Sequence, residues 1–597
     1  MLREPMEAFK KMLLQKGDRL VTDAYIPKDG TYQLIEMSEN EWTIRTTVDI
    51  SYDKKTGEVI GRNCQDYHLI QELDYQSKLL EMNKPIDPKK VIHTNNYLCL
   101  AVKKESIVSG KLSKEVLKGY YQILKDPFRK YQKKAKAKQL YELVEEKQGK
   151  PDIEILSAIE DYVLNHDLWS GMDMEKKNYA KIFFIFPDFN KTQDYYRREN
   201  ERYLIPNIYN NNMYNIENGD EILGLPNNNM GMNSKKPYLE NKTRKVKVPY
   251  LLNQEEAICQ AKMFDFFMGQ VSQKKYHIYI DNYDEEEMEI QAYTNMEEPE
   301  DLASGYYIYC QMGKNGIIIR RADVITNYST NLKPPFYLKN YIQISEEYLE
   351  KSKLPYNEGI EELWQMKKLI EGVFFEGKLS ANMYLDASDI KINDEVLKQC
   401  ILENRDILAA WFWRGETAYL RQSIDRFSFL FIRKSILEGE IPKAQRQFNL
   451  RWSLLEYLDQ DWRIGKDMSQ VREQLRKHIN AKTYDEGKFT SDEEYSYAVG
   501  QAVSYLLFLS KTNNKAESYI NPFLNTKKPE IIRKKIEEIY KKYNYRITHV
   551  NGGRSSQLFA QLMDYPVKKI STEHVMSGFV SLSLIYEKNQ EEKENEK

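Results

Sequence analysis

The sequence predicts an α+β fold: a mixed α/β N-terminal part followed by an all-α helical bundle. Two observations carry that reading. Up to about residue 335, short apolar runs bounded by Gly, Pro or Asn are interspersed with helical stretches, the texture of strands mixed with helices. After about Pro334 the apolar residues fall at helical spacing almost to the end of the chain. A length of 597 residues adds that several domains are present, since soluble domains mostly run to about 100–200 residues.

The elements follow in order. Residues 48–52 read as a strand, KKTG at 54–57 as a turn, and Ile60 ends a short return strand. Residues 66–81 read as a helix and 97–102 (YLCLAV) as a compact strand. The stretch 113–137 is helical but interrupted at Pro127, which lacks an N–H and clashes with the preceding turn. KIFFIF at 181–186 is a buried strand stopped by Pro187. Residues 201–243 are rich in Asn, Gly, Tyr, Met and Lys and lack periodicity, which gives a long Asn-rich loop at 205–245. Loops of that length are uncommon unless they are functional or disordered. Strands are expected at 275–280, 305–311 and 316–320. Helices then take over, with Ile360, Leu363, Trp364, Ile370, Val373 and Phe374 on one face, followed by 402–412 and 418–437. Residues 493–511 are apolar nearly all round and predict a central bundle helix. Residues 529–543 form a basic amphipathic helix, and 573–586 a last one before a charged tail.

Hydrophobic residues make up 41% of the chain, enough for real cores. Lys and Arg total 88 against 90 Asp and Glu, so the chain is not basic overall and any nucleic-acid contact must come from local clustering. The 44 tyrosines supply flat stacking surfaces with a polar tip. Five scattered cysteines do not form a disulfide framework and fit a reducing cytoplasm. No signal peptide or membrane-length apolar run is read.

Several groups of residues could carry chemistry. In the Asn-rich loop Asn227, Asn228, Asn229 and Asn233 carry planar amides, each of which offers a donor and an acceptor to a base edge. Gly231 allows close backbone approach, and Lys235 and Lys236 could neutralise phosphates. A plain solvated loop has the same composition. Arg533, Lys534, Lys535, Lys541, Lys542, Arg546 and Arg554 form a second basic group near the C-terminus, and Arg472, Arg476 and Lys477 an earlier one; such a face could bind a phosphate backbone. Glu530, Glu537 and Glu538 are interleaved, as on an ordinary solvated helix face. Cys64, His68, His93 and Cys99 are the right residue types for zinc at poor spacings, and the acidic run 284–287 reads as a surface turn. No metal site, cofactor or catalytic residue is therefore assigned. Phosphate-binding, nucleophile-elbow, zinc-protease and kinase signatures are missing.

Three patches in order along the chain carry a family resemblance. HTNNYLCLAVK at 93–103 comes first, and GLPNNNMGMNSKKPY at 224–238, leading on to Val248 and Pro249, comes second. The third is the series AVGQAVSYLLFLSK, YINPFLNTKKPEIIRKKIEEIYKKYNYRI and HVMSGFVSLSLIY. They resemble the large-subunit family of type I-B CRISPR–Cas surveillance complexes (Cascade). The resemblance implies a non-enzymatic subunit that contacts guide RNA (crRNA) and neighbouring Cascade subunits. It also implies recognition of the protospacer-adjacent motif in target double-stranded DNA, support of the displaced strand and recruitment of a helicase-nuclease in trans. Guide pairing would supply most of the specificity. By this resemblance Asn227, Asn228, Asn229 and Asn233 sense the motif, and Lys235 and Lys236 hold phosphates.

The organisation expected is a sensing and docking region at 1–335, a helical linker at 336–467 and a bundle at 468–597 that resembles the small subunit of related complexes. In the family that last part can be made separately, and Met468 lies where such a start would fall. Two rival readings are a metal-dependent nuclease with an unrecognised site and a generic RNA-binding scaffold that stacks bases on Tyr.

Overall fold

The computed structural model describes residues 3–39, 41–53, 56–80, 84–132, 135–219, 221–226, 241, 243–245, 247–248, 250–282, 288–313, 316–509, 517–547 and 553–587. It is 51% helical and 17% strand, an α+β protein, with nearly all the strand before residue 338. The chain divides into two compact units, residues 1–297 with 304–325, and residues 298–303 with 326–597.

The first unit holds a five-stranded sheet of order β3-β2-β1-β5-β4, made of β1 (Gly30–Met37), β2 (Trp42–Tyr52), β3 (Val59–Ile60), β4 (Cys99–Lys103) and β5 (Tyr179–Ile185). β1 and β5 run parallel, and the other pairs are antiparallel. β5 is the expected KIFFIF strand. Its central position explains the unbroken apolar run, because helices cover both faces of such a strand. Gly30 opens β1 opposite Tyr179, and a Cβ there would lie 2.6 Å from the Tyr179 carbonyl, so the two strands can start this close only at a glycine.

The helix expected at 66–81 is Tyr67–Ser77, and the one expected at 113–137 is broken at Pro127 into Lys114–Lys125, Phe128–Tyr131 and Ala135–Gln148. Ser113 caps the first of these by accepting from the Val116 N–H. A hairpin, β6 (Ile216–Asn218) with β7 (Glu221–Leu223), precedes the long helix Gln254–Ser272, which starts with a capping box formed by Asn253 and Glu256. That helix lays Met263, Phe264 and Phe267 on an antiparallel sheet of order β11-β10-β8-β9. Its strands are β8 (His277–Asp281), β9 (Ile290–Tyr293), β10 (Gly305–Gly313) and β11 (Gly316–Ile325).

Among its described residues the second unit is helical apart from one ribbon, β12 (Asn331–Tyr337) with β13 (Gly359–Glu362). This corrects the helical pattern expected from Ile360: that residue pairs with Phe336 in the ribbon, and the helix starts at Leu363. The central helix Asp492–Phe508 is buried on all sides, as its composition predicts. It meets Thr572–Val580 backbone to backbone. A Cβ on Gly500 would lie 2.2 Å from the Val575 carbonyl, and one on Gly578 2.1 Å from the Tyr497 carbonyl. Gln501 closes the contact, donating to the Gly578 carbonyl at 2.5 Å and accepting from the Leu584 N–H at 2.9 Å. The last helix is shorter than expected, because Ser581 ends it. Met468 is buried in one core with Phe448 and Trp452 from the helix Ile441–Leu458, so the helices on either side of residue 468 share their packing.

Candidate nucleic-acid interface

The asparagine loop comes first. Asn227, Asn228, Asn229, Asn233, Lys235 and Lys236 lie outside the described residues, as does the acidic run 284–287. The stem that carries the loop is described. Gly224 and Leu252 exchange backbone hydrogen bonds at 2.9 and 3.0 Å, the Leu225 carbonyl accepts from Asn210 N–H at 2.8 Å, and Leu225 is buried against Val248. Gly224 sits on the Tyr209 ring, where a Cβ would approach to 2.4 Å. The Tyr209 hydroxyl donates to the carbonyls of Ile222 and Leu252 at 2.7 and 3.0 Å. Both ends of the loop are thus tied to one buried tyrosine.

The basic helix Pro529–Tyr543 turns Ile532, Ile536 and Ile539 inward, as its spacing predicts. Its basic group is divided. Arg533 donates to the Tyr565 carbonyl, and Arg546 to the Leu509 carbonyl at 2.5 Å, so both guanidinium groups brace the fold. Lys534 is exposed, Lys535 half-buried, Lys541 pairs with Glu537, and Lys542 lies 5.5 Å from the Tyr543 ring. In the earlier basic group Arg472 is buried and donates to Gln343 at 2.5 Å, and Arg476 pairs with Glu587 at 2.7 Å, which leaves Lys477 as the exposed member.

A cleft in the first unit gathers His93 and Cys99, weighed above only as metal ligands, with residues that the sequence did not single out as a site. Its inner part is a pocket of about 310 Å³, and its outer part an open groove of about 720 Å³. Ile26, Lys28 and Tyr179 line both. The pocket is built on the start of β5. Lys181, in register with Tyr32 on β1 and Ala101 on β4, is buried and pairs with the equally buried Asp74 of the helix Tyr67–Ser77. Asp74 also accepts from the Tyr25 hydroxyl at 2.8 Å and the Tyr32 hydroxyl at 3.4 Å. Burial, and then the Asp74 charge, push both phenols well above the usual tyrosine range, so they stay protonated donors. Lys78 pairs with Asp265 at 2.8 Å and lies 4.1 Å from the Tyr75 ring.

His93, the first residue of the HTNNYLCLAVK patch, lines the same pocket. Its Nε2 is 3.0 Å from the Lys90 carbonyl, which can only accept, so Nε2 carries the proton and Nδ1 accepts from the Tyr179 hydroxyl at 3.0 Å. Burial lowers the His93 pKa below the ordinary histidine value and keeps the ring neutral. The next residues of the patch clasp the end of the neighbouring helix. Thr94 donates to the Ser77 carbonyl at 3.0 Å, and Asn95 to the Lys78 carbonyl at 2.9 Å. Burial drives the Cys99 thiol up to about 12, so it is not a thiolate at neutral pH.

Lys28 stands at the rim shared by pocket and groove. It is exposed, with its ammonium 5.7 Å from the Tyr179 ring centroid. The surrounding wall lowers its pKa, and Lys181 adds to the effect. The outer groove adds Lys177, Lys274 and the Tyr52 ring. Among the described residues the cleft is lined by five lysines (28, 78, 177, 181 and 274) and two carboxylates, Asp29 and Asp74. The one sequence signal that could have led here is Lys181 itself, because a lysine opening an apolar strand requires a buried partner.

Among the described residues no three His, Cys, Asp or Glu side chains are grouped to hold a metal ion, and no helix is long and apolar enough to cross a membrane. No family model, curated protein or solved structure matches the chain.

Proposed function

We propose that the chain is the non-catalytic large subunit of a type I-B CRISPR guide-RNA surveillance complex in the cytoplasm. In this reading it contacts guide RNA and the displaced strand, recognises the protospacer-adjacent motif in target DNA, docks against the other Cascade subunits and recruits the helicase-nuclease. The observation that carries it is the lysine- and tyrosine-lined cleft, whose wall includes the first of the three resembling patches. Ammonium groups that outnumber carboxylates beside tyrosine rings suit a single strand, with phosphates at the lysines and bases on the rings. The second patch supplies the motif-sensing loop, with Asn227, Asn228, Asn229 and Asn233 at base edges and Lys235 and Lys236 on phosphates. The same cleft serves a general RNA-binding scaffold equally well, so the loop is where the two readings part.

Replacing Asn227, Asn228 and Asn229 together with Ala tests this. In the reconstituted complex, target DNA binding weakens while assembly with guide RNA is unchanged. Undiminished binding to motif-bearing DNA would remove the sensing role, and failure to assemble would make the loop structural.

A further inference from the structure

The inner pocket sets a few charged and polar groups among apolar and aromatic walls. Its ammonium groups are not equivalent. Lys181 shares Asp74, and Lys78 shares Asp265. Lys28 makes no ion pair with any carboxylate among the described residues, although it stands on the wall common to pocket and groove. The Asp74 carboxylate is engaged by three donors, and His93 is committed at both ring nitrogens. Among the described residues, Lys28 is therefore the pocket ammonium without a carboxylate partner. Around it stand the Tyr25 and Tyr179 side chains, with the Tyr179 hydroxyl turned to His93. A volume of about 310 Å³ is at the small end of the range for ligand pockets, and the walls mix apolar and aromatic side chains with a few fixed polar groups.

We propose that this pocket seats a single nucleotide monophosphate unit, its phosphate held by Lys28 and its base against the tyrosine side chains. An ammonium on a cavity wall with no carboxylate partner among the described residues gains from a ligand that brings negative charge, and a phosphate does so. A base supplies the flat face that tyrosine rings accept without sequence preference. The inference rests on reading the cleft as a nucleic-acid site, but it needs neither guide RNA nor partner subunits. Because pocket and groove share Ile26, Lys28 and Tyr179 in their walls, the unit is either a free mononucleotide or one nucleotide of a strand lying in the groove.

The test uses the full chain alone, with adenosine 5′-monophosphate, uridine 5′-monophosphate, adenosine, inorganic phosphate and a short single-stranded RNA as probes. Affinity is measured by calorimetry, and protection of Lys28 from acetic anhydride by mass spectrometry. The nucleotides or the RNA are expected to protect Lys28, and Lys28→Gln, at an exposed position, is expected to weaken them by about tenfold or more, the loss of one charge-assisted contact. Protection by the monophosphates identifies a free nucleotide as the ligand, and protection by RNA alone identifies a unit within a strand. The proposal is overturned if Lys28→Gln binds all probes as well as the parent chain, if adenosine or inorganic phosphate binds as tightly as the tightest of the monophosphates and the RNA, or if no probe protects Lys28. Those results would leave co-purification of guide RNA, the mark of the proposed function, unaffected.

Discussion

Three lysines of the outer groove, Lys28, Lys177 and Lys274, are all exposed and line one continuous surface. If that surface carries a single strand, each lysine neutralises one phosphate and releases its condensed counterion. For single strands each such contact adds about 0.7 to the slope of log affinity against log salt, so replacing all three with Gln lowers the slope by about 2. The affinity ratio between parent and variant should then widen by about twentyfold as salt falls from about 200 to about 50 mM. Fluorescence anisotropy with a labelled single-stranded RNA across that range measures both slopes. Hydrogen exchange at β1 and β5 checks that the sheet is intact, since the substituted side chains are exposed and leave the strand ladder untouched. A variant with reduced affinity but an unchanged slope would mean that the lysines act through something other than phosphate contact. Unchanged affinity would take the strand out of the groove altogether.

Other outcomes follow from the packing. Lys181→Met leaves Asp74 buried without its cation and should cost about 3–5 kcal/mol, whereas Lys181→Met combined with Asp74→Leu should recover much of that loss; denaturant midpoints of the three chains decide it. Gly500→Ala or Gly578→Ala drives a methyl group into the facing backbone and should destabilise the second unit by about 1–3 kcal/mol or more, seen as faster hydrogen exchange in the helix Asp492–Phe508. His93 and His574 both have pKa values lowered by burial, so each folded site favours the neutral ring while the unfolded chain binds the proton at about 6.5. Their contribution is therefore complete above that pH and is lost as pH falls through it towards the folded values. Between about pH 7.5 and pH 5.5 the parent's denaturant midpoint should drop further than that of His574→Gln, and equal drops would contradict the sign.

What the sequence disclosed depended on how local each signal is. β5 and the helix Asp492–Phe508 are continuous apolar runs, and both were legible from composition alone. β1 was not, because Thr31 and Gln33 break its apolar pattern. In the fold both are buried, with Thr31 donating to Asp49 and Gln33 to Thr47. The ribbon of β12 and β13 was hidden by Pro334 and Pro335, which suit a strand only where the ladder is interrupted, and the pairing does shift between Asn331 and Phe336. The cleft was illegible for a different reason. Lys28, Asp74, His93 and Lys181 lie far apart in sequence and converge only when β5 pairs with β1 and β4 under the helix Tyr67–Ser77. The basic helix was legible as amphipathic, but the inward turn of Arg533 and Arg546 depends on the Tyr565 and Leu509 carbonyls, which no local pattern reveals.

The most direct measurement is to purify the tagged full-length chain from cells that also express its neighbouring genes and a repeat-spacer array, and to sequence the RNA that comes with it. Spacer-length RNAs sharing one repeat-derived 5′ segment, recovered with the other subunits, are the expected result. Recovery of no RNA, or of RNA unrelated to the array, would contradict a role in holding guide RNA.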